Sequence, residues 1–196
     1  MGRDLAEAFA PARHVFQEVD EALKQNLSKL MWEGPQEDLT LTANTQPALM
    51  AMSVAVVRVL EAEGGFDLGK SVSLVAGHSL GEYSALTAAR AFDLGTAARL
   101  LRLRGEAMQK ATPPGTGAMA ALLGAELDQA KEICAKAAVD PETGKTEVVE
   151  AANDNGGGQV VISGHKAAVE RAIEIAKAEG VKRAMLLPVS APFHCA

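Results

Sequence analysis

Aromatic side chains are scarce in this chain: they make up 4% of 196 residues, and Trp32 and Tyr83 are the sole tryptophan and tyrosine. That leaves few platforms on which unpaired bases could stack, and a formal net charge of -6 works against attraction to phosphate backbones. No nucleic-acid partner is expected. Cysteine is equally sparse. Cys134 and Cys195 form neither a spaced metal set nor a disulfide framework, so no metal site is expected and a reducing, cytoplasmic setting fits. Long apolar runs are missing too. The stretch 48–57 is too short to cross a bilayer, and the opening MGRDLAEAFAPARHVF brings in charge and proline too early for a secretory leader. Ala6 stands where a myristoylation signal needs serine or threonine. A soluble chain with no membrane partner is expected.

What is present suffices for a core: 48% of residues are hydrophobic and 22% charged, at a length between one large domain and two small ones. Helical periodicity runs over 4–31 through Phe9, Phe16, Val19, Leu23, Leu27 and Leu30, broken near Pro11 and ended before Gly34-Pro35. A second helix is expected after Thr45 and Pro47, through Leu60 to Gly64-Gly65. Residues 71–76 read as a short strand, followed by a glycine-bounded turn and a helix from Leu80 to Ala89. Asp93 is placed to cap the next helix, which reaches Lys110. After Pro113-Pro114 the pattern changes to β-α-β-β-α-β, with strands at 117–124, 147–152, 159–163 and 182–189 and helices at 126–138 and 166–179. A small split β-α-β subdomain is expected at 116–187, with two helices on one face of an antiparallel sheet, interrupting a discontinuous main domain.

The sequence VSLVAGHSLGE places Ser79 between Gly77 and Gly81, directly after the expected strand. Strand, sharp turn and helix in that order form the mounting of a nucleophilic serine, and the N–H of Leu80 at the helix start is a candidate oxyanion donor. The same serine could instead merely cap the helix. A phosphate loop is excluded, because its lysine and longer glycine spacing are missing. A serine nucleophile needs a base. His78 adjoins Ser79, but a sharp turn directs its ring elsewhere. His14 and His165 read as structural or solvated. His194 follows the apolar strand AMLLPV into a loop, at the strand end where catalytic groups of open α/β sheets collect. It is open to two readings, a catalytic base or an ordinary loop histidine.

Stepping by three and four along 94–110 gives Leu94, Ala97, Leu101, Arg104 and Met108, so Arg104 shares a face with apolar residues. Arg99 and Arg102 leave that stripe and read as solvated surface. A guanidinium on an apolar face should either snorkel outward or meet a carboxylate, from another segment of the chain or from a substrate gripped by its bidentate fork.

The stretches GHSLGEYSAL around Ser79, LRLRGEAMQ containing Arg104, NDNGGGQVVISG, and PVSAPFHC ending near His194 together resemble the malonyl-CoA:acyl carrier protein transacylase family, over essentially the whole chain. The resemblance implies an α/β-hydrolase-like acyltransferase domain, here incomplete, in two parts (1–115 and 188–196), interrupted by a ferredoxin-like subdomain at 116–187. It implies Ser79 as the acyl-accepting nucleophile, His194 as general acid and base, Arg104 as the clamp for the malonyl carboxylate and the Leu80 N–H as an oxyanion donor. Malonyl-CoA is the implied substrate and the phosphopantetheine thiol of acyl carrier protein the acceptor, with no tightly bound cofactor. Arg90, Arg99, Arg102 and Lys110 are candidate docking positions for an acidic carrier, or simply solvated charges. Relative to the family, the sequence is expected to be short at both ends, before MGRDLAEAF and after His194. Two other functions compete: an α/β-hydrolase-type esterase or thioesterase using Ser79 and His194, and an inactive fragment that only binds the carrier.

Overall fold

A computed structural model of the chain describes residues 1–113, 115–189 and 191–196. The Pro113-Pro114 boundary and the approach to His194 therefore fall in part outside the described residues. The chain divides into two compact units, Met1–Ala107 and Met108–Ala196.

The first unit is helical. The expected helical stretch over 4–31 is broken into α1 (Arg3–Ala8), α2 (Ala10–Leu23) and α3 (Leu27–Glu33). Extended Phe9 separates the first pair, and Pro11 lies in the first turn of α2, where its missing N–H has no helical partner to lose. At the other end Lys24 turns left-handed with φ 50°, and Asp20 accepts a hydrogen bond from the Ser28 N–H at 2.9 Å, securing the start of α3. After α4 (Gln36–Thr40) comes α5 (Thr42–Glu63), which begins ahead of Pro47 rather than after it. Its first turn is held by buried side chains, Thr42, Asn44 and Gln46, instead of being started by the proline. Ala12, Phe16 and Val19 of α2 recur at helical spacing and pack with Met50 and Val54 of α5 and Leu101 in one core.

A short α6 (Leu68–Ser71) precedes the segment where a strand is expected. None forms: residues 72–77 belong to no ladder among the described residues, and Leu74 is 86% exposed. Local β propensity cannot make a strand without a neighbour to receive its hydrogen bonds. The turn then leads to α7 (Gly81–Ala88), and Asp93 caps α8 (Leu94–Ala111) as expected, accepting from the Thr96 N–H at 2.7 Å.

The second unit runs β1 (Gly117–Leu123), α9 (Leu127–Ala137), β2 (Val149–Asp154), β3 (Gln159–His165), α10 (Lys166–Ala178), β4 (Arg183–Leu186). Its sheet has the order β2-β3-β1-β4, with every neighbouring pair antiparallel. Alternate residues Ala120, Leu122, Val160 and Ile162 join Ile133, Val169 and Ala172 in a core between the sheet and both helices. The intervening residues, Met119 and Ser163 among them, face the other way. No helix of the described residues is long and apolar enough to cross a membrane.

Candidate active site

Ser79 has φ 54°, a left-handed backbone that serine adopts only when its surroundings compel it. The compulsion is visible at Gly77. A Cβ there would lie 1.9 Å from the carbonyl carbon of Gly81 and 2.3 Å from the Glu82 nitrogen, so the chain doubles back on itself too closely for any side chain. Gly81 has no such need, since a Cβ at that position meets nothing within 4 Å. Sequence reasoning treats the two glycines alike, whereas the structure requires only the first on steric grounds. The turn closes through the Gly81 N–H donating to the His78 carbonyl at 2.8 Å, and Leu80 stands at the N-cap of α7. His78 is exposed beside it.

Arg104, half-buried on α8, extends its fork to this serine. Nη2 donates to Ser79 Oγ at 3.1 Å, while Nη1 donates to Gln46 Oε1 at 2.5 Å. Gln46 is 3% exposed and donates in turn to Thr42 Oγ1 at 2.7 Å. Both of these acceptors are neutral oxygens, so the fork sits as a cation beside a serine hydroxyl rather than in an ion pair with either partner. Close approach of α8 is set by Gly105, where a Cβ would come within 2.6 Å of Ala43 Cα.

Arg102 departs from its expected solvated position. It is half-buried, donating from Nη1 to Asn44 Oδ1 at 2.9 Å and from Nη2 to Gln25 Oε1. Burial lowers the proton affinity of its guanidinium, partly offset by the charge of Glu106. The periodicity of α8 alone hides this, because the partners come from the α2–α3 turn and from α5. Arg99 remains exposed, bonded to Thr96 Oγ1, and exposed Arg90 pairs with Glu61 at 3.3 Å.

His194 lies in the second unit, exposed and also left-handed at φ 59°. The segment carrying it crosses the face of the sheet opposite α9 and α10. Glu150, Ser163 and Met119 form one cross-strand row over β2, β3 and β1. Met119 Sδ accepts from the Phe193 N–H at 3.5 Å, Ser163 Oγ donates to Cys195 Sγ at 3.5 Å, and Glu150 Oε2 accepts from the Ala196 N–H at 3.2 Å. Pro192 presses on Gly117, where a Cβ would sit 2.2 Å from its ring. These supporting residues escaped sequence reasoning, although the conspicuous Gly117 at a strand start was a usable signal for close packing. His165 serves the backbone, its Nδ1 accepting from the Val148 N–H at 3.0 Å; His14 is exposed. Among the described residues no group of three His, Cys, Asp or Glu side chains is arranged to hold a metal ion.

The family described as "Acyl transferase domain" matches residues 1–195. The malonyl CoA-acyl carrier protein transacylase of Escherichia coli K12 is 47% identical over 193 residues, covering 98% of this chain and 59% of that protein. Among solved structures, the acyl-carrier-protein-S-malonyltransferase of Bartonella henselae is similar with TM-score 0.89 and 57% identity, over 99% of this chain and 60% of that one. A malonyl-transacylase solved in complex with its type II PKS acyl-carrier protein is similar with TM-score 0.89 and 47% identity, over 100% of this chain and 60% of that one. The chain thus spans 59% of the length of the Escherichia coli relative. With the Ser79 turn and Arg104 placed as described, this chain belongs to the acyl transferase domain family, as a relative of the malonyl CoA-acyl carrier protein transacylases.

Proposed function

We propose that the chain carries out serine-dependent transfer of a malonyl group from malonyl-CoA to the phosphopantetheine thiol of an acyl carrier protein, in fatty acid biosynthesis. The observation that carries this reading is the 3.1 Å hydrogen bond from Arg104 to Ser79. A cation poised at the nucleophile matches an acyl group that ends in a carboxylate, since a guanidinium fork and a carboxylate pair through two parallel hydrogen bonds. A neutral acyl ester makes no use of it, which disfavours a simple esterase or thioesterase.

Ser79 Oγ attacks the thioester carbonyl as His194 accepts its proton. The tetrahedral anion is met by the Leu80 N–H at the start of α7, where the helix dipole adds to the donor. Collapse breaks the C–S bond, His194 returns the proton to the departing CoA sulfur, and a malonyl ester remains on Ser79. The carrier thiol then attacks that ester, forming a C–S bond as the C–O bond breaks, and the proton passes through His194 back to Ser79. No tightly bound cofactor enters this sequence.

The same reading takes 1–115 and 188–196 as parts of an α/β-hydrolase-like catalytic domain and 116–187 as an inserted ferredoxin-like subdomain. The antiparallel order β2-β3-β1-β4 supports the latter. It also assigns the protein to the cytoplasm, where malonyl-CoA and carrier meet. An acidic carrier would meet exposed Arg90 and Arg99.

Intact-mass measurement tests both half-reactions. Incubation with malonyl-CoA should add one malonyl group, removed by carrier addition and missing from Ser79→Ala. A folded chain that acquires no adduct overturns the reading for this chain, and carrier binding without an adduct would leave only the non-catalytic function.

A further inference from the structure

We propose that Arg102 is a positioning residue for Arg104: through Asn44 it holds the first turn of α5, and thereby Gln46, the side chain that orients the Arg104 guanidinium. The inference rests on the reading of Arg104 as the carboxylate clamp.

Two rungs join α8 to α5. Arg102 donates to Asn44 at 2.9 Å and Arg104 donates to Gln46 at 2.5 Å, so partners two residues apart on one helix meet partners two residues apart on the other. Just beyond them, Gly105 lets the backbone of α8 lie against Thr42 and Ala43. The turn so clasped needs bracing. Pro47 has no N–H to give the Ala43 carbonyl, which removes a helical hydrogen bond from the turn that carries Asn44 and Gln46.

Arg102 supplies that bracing through a closed ring. Its fork takes Asn44 Oδ1 and Gln25 Oε1, and Gln25 Nε2 returns to Asn44 Oδ1 at 3.4 Å. Asn44 Nδ2 also donates to the Asp38 carbonyl at 2.8 Å, fastening α4 to the same point. A fork with fixed geometry sets where Asn44 stands; a single ammonium would not define both partners at once. The fork is half-buried and its two hydrogen-bonding partners are neutral amides, so these contacts fix direction rather than pair charges. Its presence is accounted for by orientation.

The test uses the full chain and reads Arg104 directly. Guanidinium NMR signals, assigned by their loss in Arg104→Lys, should show a slowly rotating, held group in the unaltered protein. Arg102→Met and Gln46→Leu should both release it to fast averaging. Malonyl loading of Ser79 should fall about tenfold in Arg102→Met, through KM more than kcat, with acetyl loading unmoved. A folded Arg102→Met that keeps Arg104 held and its malonyl preference intact overturns the proposal. If that variant does not fold, Asn44→Ala severs the same link from the other side and decides by the same two readouts. Should the unaltered chain load no malonyl group, the clamp reading fails, while the guanidinium spectra still decide whether Arg102 positions Arg104.

Discussion

Arg104 and Ser79 share a hydrogen bond at 3.1 Å in which the arginine donates and the serine hydroxyl accepts. In the proposed reaction this contact ties acyl selection to the attacking oxygen itself, so activity should respond to how each partner is held.

Arg104→Ala should leave a serine still able to be acylated but blind to the carboxylate. The ratio of malonyl to acetyl loading, read by intact mass from an equimolar mixture of the two thioesters, is expected to fall about tenfold to a hundredfold. That is the scale of hydrogen bonds to a charged group, about 1.5–3 kcal/mol. An unchanged ratio would remove Arg104 from the clamp.

The two glycines flanking Ser79 should behave differently. Gly77→Ala forces a Cβ to 1.9 Å from the Gly81 backbone, so the turn must open, with a cost of about 1–3 kcal/mol and loss of acylation. Gly81→Ala adds a methyl to open space at the first position of α7, where alanine is the better helix former. Urea unfolding should therefore rank Gly81→Ala at or above the unaltered protein and Gly77→Ala well below it.

The two thiols should also separate. Cys134 is buried, and burial, with a smaller contribution from Glu150, pushes its pKa up to about 11. Because the folded state holds this proton more tightly than the unfolded chain, its contribution to stability is complete below the ordinary value of 9.0 and declines as pH rises toward 11. Alkylation of the folded protein at pH 8 should mark Cys195 and spare Cys134, as peptide mass mapping would record.

Asp93 supplies a cap with a pH signature of the opposite sign. Hydrogen bonds from Thr96, backbone first, hold its carboxyl below the ordinary 3.8, so its support for α8 is present above that value and lost as pH falls through the lowered one. Asp93→Ala should lower the melting temperature at pH 7, and by progressively less as pH falls below 3.8, measured by circular dichroism.

How far these features could be read in the sequence depended on how local their causes are. The Ser79 turn, the Asp93 cap and the apolar neighbours of Arg104 all arise within a few residues, and each was legible. Arg102 was not, because its partners stand at 25 and 44 and helical spacing on α8 does not report them. The expected strand over 71–76 failed for the same reason in reverse. Its residues favour extended backbone, but pairing is a property of a neighbour, and among the described residues nothing pairs with them. The second unit fared better, since each of its strands and helices announces itself by its own period, although register across strands does not.

That register has a consequence for His194. Phe193, Cys195 and Ala196 each rest on a different strand, along the single row Met119, Ser163, Glu150. Sliding any one strand by a residue would turn its member of the row toward the helices and pull one footing from under the loop. The position of the histidine is thus set in part by counting: a miscounted ladder anywhere in these three strands would surface as a misplaced imidazole, so one side chain carries a record of how the second unit folded.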